Sequence, residues 1–138
     1  MKEDNHENYA YNIPSIIIHL IHLLAGSWLL YIGYQRITNM TISKYHYYIL
    51  TILGIVVIIN FSFLLSHSNT DETYEFEVPK YIVHLSHILN GIIFALLGLG
   101  GINIIHNDIL KHNFFNIYLI GGGILAAAYH SHLLLIHH

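Results

Sequence analysis

The chain contains no cysteine. That absence excludes a disulfide framework and a thiolate metal site, and leaves nitrogen and oxygen as the donors for any bound ion. Charge is nearly as scarce. Only 9% of residues are charged, against roughly 25% in an ordinary soluble domain. The formal net charge is -3 and the five Lys and Arg form no cluster, which excludes a nucleic-acid partner. No GxSxG, HExxH, P-loop or dinucleotide fingerprint occurs. No Asp or Glu lies inside a long apolar stretch, so a general base of raised pKa would have to come from a loop. The sequence gives catalysis no support.

Proline is also rare, with two in 138 residues, and both mark the same feature. The stretch Pro14 to Gly33, PSIIIHLIHLLAGSWLLYIG, recurs as Pro79 to Gly98, PKYIVHLSHILNGIIFALLG, 65 residues later without a gap. Pro14 pairs with Pro79, His19 with His84, His22 with His87, Gly26 with Gly91 and Gly33 with Gly98. Apolar sequence matches itself by chance at Leu and Ile, but not at Pro, His and Gly in register. The same offset carries Ser66-His67 onto Ser131-His132. The expected unit is therefore a helical hairpin with three histidines, present twice.

Hydrophobic residues make up 54% of the chain, and the charges avoid four long stretches, as in membrane spans. The polar N-terminus, MKEDNHENYAYN, lacks the basic n-region of a secretory signal, so the first apolar segment is expected to remain as a span. The fold class expected is all-α: an integral-membrane four-helix bundle, up-down-up-down, built from a tandem duplicated hairpin with pseudo-two-fold symmetry. Residues 1–12 form a polar tail and 13–138 one transmembrane domain, with repeat 1 at about 13–68 and repeat 2 at about 78–138. The helices are placed at about Pro14 to Tyr34, Tyr45 to Ser66 or His67, Pro79 or Lys80 to Ile105, and Phe114 to Ile136. Tyr45, Tyr47 and Tyr48, and Phe114, Phe115 and Tyr118, suit interfacial belts.

Orientation rests on few charges. Arg36, Lys44 and Lys111 fall on one side, Lys2 and Lys80 on the other, and the positive-inside rule then puts both termini outside the cytoplasm. Asn39-Met40-Thr41 is a glycosylation sequon, and a glycan there would reverse that assignment. The partner implied is the lipid bilayer. A homo-oligomer or larger membrane complex is compatible with the chain, and a redox partner or metal donor is unspecified.

Alternating helix direction brings His19, His22, His67, His84, His87 and His132 toward one side of the membrane. At 1.5 Å per residue, His19 and His84 lie roughly 7 Å above the helix starts, and His22 and His87 roughly 12 Å. His19, His22, Gly26 and Gly33 share one helical stripe, as do their copies. An unpartnered polar side chain is costly in lipid, so the stripe is expected to face inward. His130 and His132 point to nearly opposite faces; the repeat selects His132, leaving His130 at a helix contact, at the lipid interface, or as a spare ligand. His6, His46, His106, His112, His137 and His138 read as interfacial or tail residues. Glu72, Glu75 and Glu77 read as an acidic solvated loop, or as groups that orient ring N–H bonds.

The leading reading is a transition-metal site of copper, zinc or iron, with one or two ions held by the six histidines and a role in redox or metal handling. The three-plus-three ligand count looks like that of coupled dicopper proteins such as tyrosinase and hemocyanin, a resemblance of ligand logic that implies a binuclear site. A second reading is b-type heme held between His22 and His87, with Gly26 and Gly91 clearing space, similar to the plan of membrane b-type cytochromes. A third is a pH-responsive or proton-conducting protein in which the histidines titrate, although Asn60 and Asn90 are nearly the only strongly polar groups beneath the layer. The bland alternative is a structural membrane protein with interfacial histidines.

Overall fold

The computed structural model describes residues 14–69, 72–73, 78–106 and 108–136. Four helices account for most of them: α1 (Ser15–Ile37), α2 (Lys44–His67), α3 (Lys80–Gly101) and α4 (Asn113–Ile136), with a 3₁₀ turn at Asp108–Lys111 before α4. Among the described residues there is no strand, only an isolated bridge between Thr73 and Pro79. The all-α, four-helix class expected from the sequence is what the structure shows. All four helices are long and apolar enough to cross a membrane, which is compatible with a multi-pass integral membrane protein. No more than 28% of any span's apolar window is buried, so most of that apolar surface is available to lipid.

The helix ends follow local chemistry. Pro14 and Pro79 stand at the N-caps of α1 and α3, with ψ of 133° and 130°, one residue before the first helical turn where proline was expected. At the C-termini, Asn39 and Asn103 adopt φ of 53° and 63°, a left-handed conformation that asparagine tolerates. Met40 N then donates to Gln35 O at 2.9 Å and Ile104 N to Leu99 O at 3.0 Å, the six-to-one bond of a Schellman ending. These endings explain two differences from the expected bounds. α1 runs a turn past Tyr34 to Ile37, taking Arg36 out of the loop and into the helix, and α3 stops at Gly101 short of Ile105.

The chain divides into two compact units. In one, α1 packs on α4; in the other, α2 packs on α3. The two helices of each sequence repeat thus belong to different units. Both packings are antiparallel, since contacts that rise along one helix fall along the other: Gly26 meets Gly123 and Gly33 meets Ile120, while Gly91 meets Gly54 and Gly98 meets Thr51. The glycines allow backbone contact. A Cβ on Gly26 would lie 2.9 Å from Gly123 O, and one on Gly54 would lie 2.5 Å from both Gly91 O and Ala95 N. Small residues at such crossings are how helices associate in lipid, where close van der Waals packing replaces the hydrophobic drive.

The two pairs are copies of one another, but in a register that differs from the sequence offset. α3 begins 65 residues after α1, whereas α4 begins and ends 69 residues after α2, Asn113 against Lys44 and Ile136 against His67. The contacts agree. Gly26 meets Gly123 and Ala127 N as Gly91 meets Gly54 and Ile58 N, and Gly33 meets Ile120 N as Gly98 meets Thr51 N. The fully buried Leu119 and Leu50 are likewise 69 apart. The four-residue 3₁₀ turn Asp108–Lys111, with no counterpart before α2, supplies the extra length. It follows that Ser131-His132 is not the structural counterpart of Ser66-His67: the residue equivalent to His132 is Phe63, and the residue equivalent to His130 is Phe61.

Candidate functional site

In the α1·α4 unit three imidazoles meet near the start of α1 and the end of α4. His19 Nδ1 lies 3.0 Å from His130 Nδ1, and the ring of His22 stacks on that of His130, centroids 4.3 Å apart and planes 25° from parallel. His19 is 3% exposed. A 3.0 Å approach of two ring nitrogens requires that one carry the hydrogen and the other present its lone pair. His22 donates its Nδ1 hydrogen to Ile18 O, one turn back on α1, at 2.8 Å. That bond fixes the tautomer and puts the ring's lone pair on Nε2. Tyr129 stands edge-on against His130, centroids 5.1 Å apart.

At the opposite end of the same pair, Arg36 Nε donates to Asn116 Oδ1 at 2.7 Å. Asn116 is 4% exposed and its amide also lies 3.4 Å from Asn113 Oδ1. The pair is therefore tied by polar groups at both ends, with the glycine crossing between them.

The α2·α3 unit repeats the shape with different chemistry. His84, 2% exposed, has Nδ1 3.0 Å from Ser68 Oγ. His87 donates Nδ1–H to Val83 O at 2.8 Å, as His22 does to Ile18 O. Phe61 stacks on His87, centroids 4.1 Å apart and planes 22° from parallel, and stands 5.8 Å from His84. Phe61 thus touches the two rings that correspond to those touched by His130.

The remaining two histidines of the expected set behave differently. His67 is exposed, bonds through Nδ1 to Phe63 O and Ser66 Oγ at 2.9 Å each, and lies against the Phe63 ring. His132 is exposed as well. Among the described residues no three His, Asp or Glu side chains converge as a group able to hold a metal ion. The structure brings His19 and His22 together with His130, the histidine that sequence reasoning set aside, and not with His67. The missing signal was the register: at an offset of 69, His130 falls opposite His19 and His22 as Phe61 falls opposite His84 and His87.

Gly26 and Gly91, expected to clear room for a flat cofactor if heme is bound, have their Cα faces against the backbones of α4 and α2. His22 and His87 lie in different units. In the loop between α2 and α3, Glu72 accepts from Lys80 Nζ at 3.0 Å and from Asn69 Nδ2 at 3.1 Å, and Lys80 N donates to Glu72 O at 2.9 Å. The Lys80 hydrogen bond and charge hold the Glu72 carboxyl below the usual carboxylate range. Glu75 and Glu77, like His6, His137 and His138, lie outside the described residues.

No family model, curated protein or solved structure matches this chain. What the site can do must therefore be argued from its geometry.

Proposed function

We propose that this is a multi-pass integral membrane protein that binds a transition-metal ion through imidazole nitrogen, with His19 and His130 as the first ligands and His22 beside them. The observation that carries the reading is the 3.0 Å approach of His19 Nδ1 and His130 Nδ1. With metal–nitrogen bonds of about 2.0–2.1 Å, nitrogens 3.0 Å apart subtend about 90–100° at a shared ion. That is the cis angle of a tetragonal or octahedral ion and narrower than a tetrahedral one, which favours Cu(II) over structural zinc. Water or an exogenous ligand fills the other positions. Binding requires both rings to carry their hydrogen on Nε2, so the hydrogen now shared between the Nδ1 atoms moves aside by a change of tautomer.

The test is elemental analysis and Cu(II) titration of detergent-purified protein, with electron paramagnetic resonance. His137 and His138 are first replaced by Ala so that the tail does not bind the probe. Stoichiometric copper with nitrogen hyperfine structure, lost in His19→Ala and His130→Ala and kept in His46→Ala, is the expected result. A Soret band in the purified protein would replace this reading with b-type heme, and copper uptake unchanged in both site variants would overturn it.

A second reading is favoured by the lack of a third convergent donor among the described residues: the His19–His130 pair shares a proton and serves as a pH-responsive contact between α1 and α4. Failure to take up copper, together with linked titration of the two rings by nitrogen-15 resonance, would select it. On the Lys and Arg count we further propose that both termini and the His19 end of α1 face the extracytoplasmic side.

A further inference from the structure

We infer that the two helix pairs are unequal by design of one residue: α1·α4 carries the ion site, and Phe61 removes its counterpart from α2·α3, so the chain binds one ion and not two. The inference rests on the metal reading above and adds the stoichiometry and the residue that sets it.

Three independent observations give the equivalence of Phe61 with His130. The helix bounds of α2 and α4 superpose at an offset of 69 at both ends. The glycine contacts match at the same offset, Gly54 with Gly123 and Ile58 with Ala127, while α1 and α3 match at 65. The ring contacts also match: His130 lies on His22 at 4.3 Å and 25°, and Phe61 on His87 at 4.1 Å and 22°. The stack is conserved in shape while its donor is lost, since a phenyl ring has no lone pair to offer an ion. His84 is correspondingly engaged elsewhere, with Nδ1 3.0 Å from Ser68 Oγ where His19 has His130.

The obvious alternative is that His84 and His87 bind an ion without help. His87 commits Nδ1 to Val83 O, and His84 shares Nδ1 with a hydroxyl, so this pair has no second imidazole nitrogen at the distance seen between His19 and His130. A Phe61→His substitution restores the missing nitrogen in a position that already accommodates a flat ring of similar size. The cost of placing imidazole there is modest, because the stack on His87 is retained.

The experiment counts Cu(II) per chain in the His137→Ala, His138→Ala background. One ion is expected in that protein, none in His130→Phe, two in Phe61→His, and one in the His84→Ala, His87→Ala double variant. An ion kept by His130→Phe, or lost from the double variant, would overturn this inference while leaving a metal-binding protein. Absence of copper from the starting protein would instead sink the metal reading itself. If Phe61→His does not fold, the His130→Phe and double variants still decide, because neither introduces a new polar group. A folded Phe61→His that binds a single ion would show that Phe61 is not what silences the second pair.

Discussion

Histidines 22 and 87 illustrate how much one hydrogen bond settles. Each gives its Nδ1 hydrogen to the carbonyl four residues back, Ile18 O or Val83 O, at 2.8 Å, so each ring points a defined nitrogen outward without help from any other helix. Arg36 and Asn116 make the matching case at the far end of α1·α4. Replacing Asn116 by Leu removes the buried acceptor for a guanidinium N–H, and bonds to charged groups contribute about 1.5–3 kcal/mol. The expected loss in detergent unfolding is of that size; a loss of under about 0.5 kcal/mol, the level of an ordinary surface substitution, would show the contact to be idle. Glu72 supplies a pH dependence outside the spans. Its carboxyl is held below the usual range by Lys80, so its contribution is present above the unfolded carboxylate pKa and is lost as acid carries the pH down through the lower folded value. The wild type should lose thermal stability between about pH 5 and pH 3, and Glu72→Gln should flatten that part of the curve. An unchanged acid limb in Glu72→Gln would assign it to other carboxylates.

Within the helices, the glycines divide into two kinds that the sequence does not distinguish. Gly54 has backbone 2.5 Å from where a Cβ would stand, while Gly121 and Gly122 have nothing within 4 Å. Gly54→Val should therefore cost about 1–3 kcal/mol by overpacking. Gly121→Ala should be neutral or raise stability by as much as about 1 kcal/mol through helix propensity. Equal effects at the two sites would mean that the α2·α3 crossing is not as close as described. The same contrast explains what could be read in advance. The four spans were legible because charge avoids them, and α1 and α3 were legible as copies because Pro, His and Gly recur at one offset. The pairing of α2 with α4 was misaligned by one helical turn. Their sequences are mostly interchangeable Leu and Ile, and the single matching dipeptide, Ser66-His67 with Ser131-His132, fell at the wrong register. The 3₁₀ turn Asp108–Lys111 that shifts it is four residues of loop with no periodic signal. That turn of displacement is why His132 was chosen in place of His130.

At the scale of the whole molecule the duplication has an uneven outcome: two pairs built on the same glycine crossing, one with an imidazole and one with a phenyl ring at the same place. Such a scaffold keeps its packing while the chemistry of one half changes, because a stacked flat ring satisfies either pair. Its disposition across the membrane can be tested directly, and the absence of cysteine makes each introduced thiol unique. Met40, Asn69 and Ile109 are exposed positions outside the helices or in the 3₁₀ turn, one in each connection between spans. If all four helices cross the bilayer, Met40→Cys and Ile109→Cys should react with an impermeant maleimide from one side, and Asn69→Cys only from the other. The Lys and Arg count makes the Met40 and Ile109 side cytoplasmic, so in intact cells Asn69→Cys alone should label. Labelling of Met40→Cys and Ile109→Cys alone would reverse the orientation and move the His19 end of α1 to the cytoplasmic face. Labelling of Met40→Cys and Ile109→Cys from opposite sides would mean that α2 and α3 do not both cross, and the four-span topology would fall.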